Sequence, residues 1–392
     1  MKKNILICTV GTSLFKPNLF GLPVPDKYDE WVAKQPKTDH QYLSVELITN
    51  LKTALTNQNW KHIAELLNTI PGTTRLCGAE INSISDLVER EYCADKSLLF
   101  FCYSATEEGE NIAKILQYYY QFKGHIAKPR KIEYLQDKEP KLFRTKGLRN
   151  LVKEISRIVQ EYHPDNCAIN ATGGYKAQIA IGVLMGQSLG VPVYYKHEFF
   201  SEIIAFPPMP IGLDFSLWLE KSGWLTALDR GEILGWHEVE DDWDERMESL
   251  IERVECNDGK IILELSPTGQ IFHDTFKGRF QSCRDKILPP SVPSNQKQPP
   301  SLPNHSWGNA RTPILNFLEK IVSDFPYVRA CRTDYWNPDL SSTPLFRLKK
   351  EAIEGIFSNG TWTVKFFVET SATTSGQLEA CIADLNQTIY SL

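Results

Sequence analysis

The stretch that decides the fold is Cys167-Ala-Ile-Asn-Ala-Thr-Gly-Gly-Tyr-Lys-Ala-Gln-Ile-Ala-Ile-Gly-Val-Leu-Met-Gly-Gln-Ser-Leu-Gly190. Residues 167–170 are apolar and precede turn residues, which predicts the end of a buried strand. Apolar residues then recur at helical spacing over 177–189, before a glycine that ends the predicted helix. A strand, a Gly-Gly turn and a helix in this order form an arrangement that binds phosphate well. The glycines let the backbone come close to the phosphate, and the helix N-terminus offers free N–H groups. Lys176 adds a positive charge, although an ordinary strand-to-helix turn with a solvent-facing lysine explains the pattern equally well.

Composition indicates a soluble globular protein of two or three domains, since 392 residues exceed one typical domain. The net charge of −5 gives no global electrostatic reason to bind nucleic acid. Nine cysteines lack metal-binding spacing, which favours reduced thiols in a cytoplasmic protein. We find neither a signal-peptide core nor an apolar run of membrane-spanning length, so no membrane partner is expected.

Two further apolar runs, 4–10 and 97–103, predict buried parallel strands. Their alternation with helical patterns over residues 4–206 predicts an α/β fold with a Rossmann-like, mostly parallel sheet covered on both faces. Because ligands bind at the carboxyl ends of such strands, the loops after Val10, Tyr103 and Asn170 are expected to meet at one edge. Each of these loops carries hydroxyl or glycine residues.

Four sections of the chain are predicted: the sheet domain over 1–210, a helical, winged-helix-like module over 211–287, a proline-rich linker over 288–306, and a small α+β C-terminal domain over 307–392. Three finer expectations are a strand over 75–81, a helix over 243–254, and a hairpin over 251–265 that turns at Asn257-Asp258-Gly259. The last domain is expected to hold a strand pair near Arg347 and 361–369.

Several motifs resemble a known family in order and spacing: Thr9-Val-Gly-Thr-Ser13, Asn170-Ala-Thr-Gly-Gly-Tyr-Lys-Ala-Gln178 and Gly186-Gln-Ser-Leu-Gly-Val-Pro-Val-Tyr-Tyr195. The stretch from Leu135 to Leu151 also looks like that family. These motifs closely resemble the CRISPR-associated Rossmann-fold (CARF) domains of type III CRISPR systems, over roughly residues 1–210. The resemblance implies a homodimer whose two sheet edges form one pocket for a cyclic oligoadenylate, most often the tetramer. A two-fold pocket suits a ring with two-fold symmetry.

Some members of this family, the ring nucleases, also cut the ring. The resemblance implies metal-free attack of a ribose 2′-OH on its own phosphodiester, leaving a 2′,3′-cyclic phosphate, with no cofactor. It implies Ser13 and Lys176 as catalytic residues, matching a serine and a lysine at those positions in the ring nucleases. It also implies that the ring is bound by Thr9, Gly11, Thr12, Ser104, Ala105, Thr106, Gln136, Asn170, Thr172, Gly173, Gly174 and Tyr175.

Two different functions are also compatible with the sequence. The first is a ring-activated effector with an RNase in the C-terminal part, which would take RNA or the ribosome as partner. Arg230 and His237 match the loose spacing of a HEPN nuclease, and basic residues interleaved with Tyr335 and Trp336 suit a RelE-like RNase. The second is a transcription regulator that uses the winged-helix-like module, although its predicted recognition helix offers few basic residues.

Overall fold

The computed structural model describes residues 2–136, 138–197, 200, 202–210, 212–256, 258–303 and 305–389. The chain divides into two compact units, Met1–Gly212 and Leu213–Leu392, which we call unit 1 and unit 2. Among the described helices, none combines the length and the apolar character that crossing a membrane requires.

Unit 1 is built on a six-stranded sheet whose strands run in the order β3-β2-β1-β4-β5-β6. Every neighbouring pair is parallel except β5 and β6, which are antiparallel. The Rossmann-like, mostly parallel sheet predicted from the sequence is therefore confirmed. The strands are β1 (Lys3–Thr9), β2 (Cys93–Ser104), β3 (Ile126–Ile132), β4 (Cys167–Asn170), β5 (Val193–Tyr195) and β6 (Ile204–Phe206).

The helices of unit 1 follow from amphipathic patterns that bury one side against the sheet. In the helix over 148–162, for example, the apolar residues at helical spacing are buried and the charged ones lie outside. The helices are α1 (Tyr28–Val32), α2 (Val45–Thr56), α3 (Trp60–Leu67), α4 (Gly78–Glu89), α5 (Glu107–Phe122), α6 (Pro140–Leu142), α7 (Leu148–Tyr162) and α8 (Lys176–Leu189).

The order of the strands brings together the three loops singled out in the sequence. β1 lies between β2 and β4, with Thr9 opposite Cys102 and Cys8 opposite Asn170. These three strands run in parallel, so their carboxyl ends open on the same edge of the sheet. The loops that begin after Thr9, Ser104 and Asn170 are therefore neighbours.

The strand predicted over 75–81 is absent, which corrects that expectation. Residues Arg75–Cys77 form one 3₁₀ turn, and α4 begins directly after them. The apolar residues Leu76, Ile81 and Ile84 are all buried, and their spacing of three to five residues suits a helix better than a strand. This difference matters because α4 lies against the edge just described.

Unit 2 contains a three-stranded sheet of order β7-β9-β8 and a four-stranded sheet of order β10-β13-β12-β11. The strand pair predicted for the end of the chain thus belongs to a larger antiparallel sheet, which buries one face against helices. The strands are β7 (Leu234–Gly235), β8 (Ile251–Glu255), β9 (Ile261–Leu265), β10 (Val328–Asn337), β11 (Leu345–Lys349), β12 (Ala352–Ser358) and β13 (Thr363–Thr370). The helices are α9 (Phe215–Arg230), α10 (Pro267–Ile287), α11 (Arg311–Asp324) and α12 (Ser375–Thr388).

The helix predicted over 243–254 is also absent. A 3₁₀ turn at Glu245–Ser249 leads straight into β8, which forms the predicted hairpin with β9. The preceding residues 238–245 are mostly acidic, and mutual repulsion of such a run opposes a continuous helix. Of the residues predicted at the hairpin turn, Asn257 lies outside the described residues.

The proline-rich segment predicted as a linker is packed rather than free. The Gln298 N–H donates to the Arg329 carbonyl at 2.8 Å, and the Ser301 N–H donates to the Cys331 carbonyl at 3.1 Å. The segment therefore pairs with the outer edge of β10, where its backbone satisfies groups that an edge strand otherwise leaves open. Proline suits such a position because it cannot donate to a further strand.

Candidate ligand-binding cleft

The loops after β1 and β4 are in direct contact. The Thr9 hydroxyl donates to the Gly173 carbonyl at 2.5 Å, and both residues are buried. A Cβ placed on Gly11 would lie 2.5 Å from the Gly174 nitrogen, so the two backbones approach more closely than any side chain allows. Gly174 has φ of +95°, which a residue with a side chain rarely adopts. Gly11 is thus required by the contact between the loops, and Gly174 by its backbone conformation.

The β4 loop ends at the N-terminus of α8, where the chain offers positive charge. The Tyr175 N–H donates to Gln178 Oε1 at 2.8 Å, which closes the start of the helix. Gln178 is buried, and its Nε2 has no hydrogen-bond partner among the described residues. Lys176 is the first residue of α8 and its side chain is exposed. A lysine beside the positive end of a helix dipole makes this corner attractive to an anion.

Helix α4 presents a line of buried polar side chains to the same edge. Glu80, Ser83 and Asp86 are spaced three residues apart and are each no more than 5% exposed. Residues at this spacing share one side of a helix, and on α4 that side meets the ends of several strands. We call these three residues the polar stripe of α4.

Glu80 holds the β1 loop. Its Oε1 accepts the Gly11 N–H at 2.6 Å, and its Oε2 lies 3.5 Å from the Ser13 hydroxyl. The Ser13 oxygen in turn accepts the Ala79 N–H at 2.9 Å, within the first turn of α4. Burial raises the pKa of Glu80, and the hydrogen bonds from Gly11 and Ser13 only partly oppose that rise.

The rest of the polar stripe holds the β4 loop and the residues after β5. Asn170 Nδ2 donates to Ser83 at 2.8 Å, while its oxygen accepts the Thr172 hydroxyl at 2.6 Å. The Lys196 N–H donates to the Thr172 oxygen at 3.1 Å, and the Lys196 ammonium pairs with Asp86 at 2.9 Å. Asn170 is therefore buried and bonded on both sides of its amide, which makes it a support for the loop.

Beside this network lies a cleft of about 1220 Å³. Of the sequence-predicted site residues, Ser13 and Thr172 line it. Most of the remaining lining comes from the chain between β1 and α4 and from α4 itself. Its polar lining includes Asn18, Thr38, Asp39, Thr73, Asn82 and Arg90. Within the described ranges, no three His, Cys, Asp or Glu side chains are grouped so as to hold a metal ion.

The other predicted residues lie at the same edge but outside the lining of this cleft. Ser104 and Thr106 bond to each other through their hydroxyls at 3.1 Å, with the half-buried Ala105 between them. Thr106 caps α5 by accepting the Gly109 N–H, so its oxygen is partly occupied. Thr12 has an exposed side chain, and Gln136 is half-buried at the end of the turn after β3. Tyr175 is 38% exposed and packs its ring against Phe143.

The polar stripe was missed from the sequence. The sequence does contain a sign of it. Glu80, Ser83 and Asp86 recur every three residues and interrupt an apolar helical pattern, on the side of the helix that this pattern predicts to be buried. The expectation of a strand over 75–81 hid Glu80, since a strand has a period of two. A helix over the whole of 78–89 would have placed Glu80, Ser83 and Asp86 together.

Comparison with known proteins addresses the part of the chain that carries α4 and the β4 loop. Residues 75–209 match the family model described as CRISPR-associated protein (Cas_APE2256), whereas β1 and Ser13 precede the matched residues. No curated protein matches the chain closely enough to count as a relative. The predicted resemblance to CRISPR-associated proteins is therefore confirmed for residues 75–209, the segment that supplies α4, the β4 loop and the start of α8.

Proposed function

We propose that this protein binds a cyclic oligoadenylate, preferentially the tetramer, at the carboxyl edge of the unit 1 sheet and cleaves it without metal. Such cleavage would damp type III CRISPR signalling. The observation that carries the proposal is the contact between Gly11 and Gly174. Ser13 and Lys176 each lie two residues along the chain from that contact, which supports the proposal that the hydroxyl and the ammonium act on the same ligand. The match to a CRISPR-associated family supports the same class of function.

The cleft suits an oligonucleotide better than a small metabolite. Pockets for small molecules usually enclose roughly 300–1,000 Å³, and this cleft exceeds that range. Its lining combines hydroxyls, amides and a few charged groups, which pair well with ribose hydroxyls and base edges. Lys176 and the N-terminus of α8 lie outside the lining, where they would meet the phosphates of a ring that extends beyond the cleft.

The chemistry requires an in-line 2′-OH and stabilisation of charge on the phosphorus. The ribose O2′ forms a bond to phosphorus while the bond from phosphorus to O5′ breaks, which leaves a 2′,3′-cyclic phosphate and a 5′-hydroxyl. The proton lost from O2′ is balanced by the proton gained at O5′. Ser13 would orient the 2′-OH or the phosphate, and Lys176 would stabilise the negative charge that develops on the phosphoryl oxygens. The homodimer with a shared pocket stays a prediction.

The test is incubation of the purified full chain with cyclic tetra-adenylate in EDTA, with products separated by chromatography and mass. We expect linear di-adenylate with 2′,3′-cyclic phosphate ends. Lys176→Ala should slow this by about 10²-fold or more, as loss of one charge-stabilising group does. Lys61→Ala is the matched control, because Lys61 is exposed on α3. A ring that binds but stays intact would make the protein a sensor, and a ring that does not bind would refute the proposal.

A second candidate function is an RNase in unit 2 that the ring activates. Tyr335 on β10 is 40% exposed, and the Lys365 ammonium lies 5.3 Å from the centre of its ring. An exposed aromatic ring beside a cation is a surface on which RNA bases stack. RNA cleavage that occurs only when the ring is added would favour this function, so the ring and RNA products should be measured separately.

A HEPN-like nuclease and a transcription regulator both gain little support from unit 2. Arg230 ends α9, whereas His237 lies in a 3₁₀ turn with its ring packed against Gly235, so the two residues do not sit together on a helix. In a helix-turn-helix the recognition helix follows another helix after a short turn, whereas the β8–β9 hairpin lies between α9 and α10. α10, whose basic residues include Lys277 and Arg279, follows the hairpin instead.

A further inference from the structure

A buried carboxyl group lies where the two loops of the proposed site meet. Glu80 is 1% exposed and points from α4 at the β1 loop, with one oxygen on the Gly11 N–H at 2.6 Å. A Cβ on Gly173 would lie 2.1 Å from that oxygen and 2.6 Å from the Thr9 carbonyl. Glu80 therefore fills the space that the absence of a side chain at Gly173 leaves open, and it contacts both loops at once.

The second oxygen of Glu80 faces the hydroxyl of Ser13 at 3.5 Å, a long hydrogen bond. The Ser13 oxygen already accepts the Ala79 N–H at 2.9 Å, so one lone pair and the direction of its own proton remain free to respond to Glu80. An ionised Glu80 can only accept, which draws that proton toward the carboxylate. A protonated Glu80 donates to the Ser13 oxygen instead, which releases the Ser13 proton to face the cleft.

The surroundings leave the charge of Glu80 without a compensating cation. Burial and hydrogen bonds shift the pKa of Glu80. Within the described part of the chain, no lysine, arginine or histidine contributes to that shift. The titratable groups that sense its charge are Cys8 on β1 and Tyr120 on α5. The pKa values of both are raised, chiefly by burial, so both are neutral near pH 7.

We propose that Glu80 is a positioning residue for ring cleavage, which sets whether the Ser13 hydroxyl donates toward the carboxyl group or toward the bound ring. This inference rests on the proposed function of the same site. Glu80 itself is buried and does not touch the ring. It acts through Ser13 and through the Gly11 backbone, and its protonation therefore changes turnover more than it changes affinity.

The experiment measures kcat and KM for cyclic tetra-adenylate between pH 5 and 9, for the full-length wild type and for Glu80→Gln. Glutamine keeps an acceptor for the Gly11 N–H and offers Ser13 only a donor, as the protonated acid does. We expect the kcat of the wild type to fall about tenfold as pH rises through the pKa of Glu80, because the Ser13 hydroxyl then donates to the carboxylate and one hydrogen bond to the ring is lost. The KM should stay nearly constant. Glu80→Gln should lack the step and keep the level of the wild type at low pH.

Controls distinguish a failure of the role of Glu80 from a failure of the proposed ring cleavage. Glu46→Gln, an exposed position on α2, should keep the wild-type profile. If Glu80→Gln does not fold, as judged by its thermal unfolding, Ser13→Ala takes its place: its lower kcat should show no step, and a step that persists without the hydroxyl would show that the step does not act through Ser13. Cleavage by the wild type with the same pH profile in Glu80→Gln, or in Ser13→Ala where that variant replaces it, would overturn the role of Glu80 and leave the ring nuclease intact. Failure of the wild type to bind or cut the ring would instead overturn the proposed function, and the role of Glu80 with it.

Discussion

Both units bury a glutamate, but they compensate its charge in opposite ways. Glu80 in unit 1 and Glu354 in unit 2 are each 1% exposed. Glu354 lies on β12 and accepts from Arg347 at 2.8 Å and from Lys349 at 2.6 Å, both on the neighbouring strand β11. Glu80 has a backbone N–H and a hydroxyl instead.

The consequence is visible in the direction of each pKa. Burial alone would raise the pKa of both carboxyl groups. For Glu354, the hydrogen bonds and the attraction of Lys349 and Arg347 outweigh burial, so its pKa is lowered. For Glu80, burial outweighs the hydrogen bonds from Gly11 and Ser13, so its pKa is raised.

The difference teaches what each carboxyl group does for its unit. A buried acid with two cations is a structural element, which the fold needs intact because removal leaves unpaired charge behind. A buried acid without a cation costs stability when ionised, and such groups concentrate where a site needs a tunable proton. Four changes test this comparison.

The largest effect is expected for Glu354→Ala. Its removal takes from the mostly buried Arg347 its buried carboxylate partner and leaves only the half-buried Asp242 at 3.2 Å, and breaking a buried pair in this way costs up to about 3 kcal/mol. Denaturant unfolding monitored in unit 2 measures the loss. Glu369→Ala, which removes an exposed partner of Arg332, should cost under about 1 kcal/mol. Equal losses in the two variants would mean that burial of the pair is irrelevant.

In unit 1, the next largest effect is expected for Gly173→Ala, which adds a single methyl group. The new Cβ would collide with the Glu80 carboxyl group and with the backbone of Thr9 and Gly11, at 2.8 Å or less. Overpacking of this kind costs about 2 kcal/mol, and it should separate the two loops and weaken ring binding as well. Gly21→Ala is the matched control, because nothing lies within 4 Å of its Cβ position. A stable Gly173→Ala that binds the ring normally would show that the loop contact is dispensable.

Ser13→Ala should have a smaller effect on stability. The Ser13 oxygen accepts an N–H of the first turn of α4, and loss of such a cap costs about 1 kcal/mol. Thermal unfolding compares it with Thr12→Ala, whose side chain is exposed and should change stability by less than about 0.5 kcal/mol. No loss in Ser13→Ala would assign the hydroxyl to the ligand alone.

The smallest effect is expected for a change of pH. As pH rises, the contribution of Glu80 to the stability of unit 1 should fall, whereas the contribution of Glu354 to the stability of unit 2 should rise. Because folding raises the pKa of Glu80, this group contributes fully to stability below pH 4.5, the ordinary pKa of a glutamate. That contribution is lost as pH rises through the higher pKa of Glu80 in the folded protein. Because the pKa of Glu354 is lowered, its contribution is present above 4.5 and is lost as pH falls through the lower folded value. Hydrogen exchange of α4 and β12, in the wild type and in Glu80→Gln and Glu354→Gln, measures each unit separately. Parallel responses in the two units would contradict the comparison.

Much of unit 1 could be predicted from local patterns. The apolar runs that became β1, β2 and β4 were recognisable, and the glycines at 173 and 174 marked the turn into α8. Unit 2 was harder, because its strands are short and the proline-rich segment resembled a linker by composition. Its pairing with β10 depends on a contact that composition does not record.

The sequence by itself determined the alternation of strands and helices and the edge at which their loops meet, because apolar periodicity and glycine turns act over a few residues. Only the tertiary structure decided what fills that edge. Glu80 reaches a backbone N–H that lies 69 residues earlier, and Ser83 meets an amide that lies 87 residues later. Contacts over such separations depend on how α4 packs against the sheet, and no local pattern encodes that arrangement.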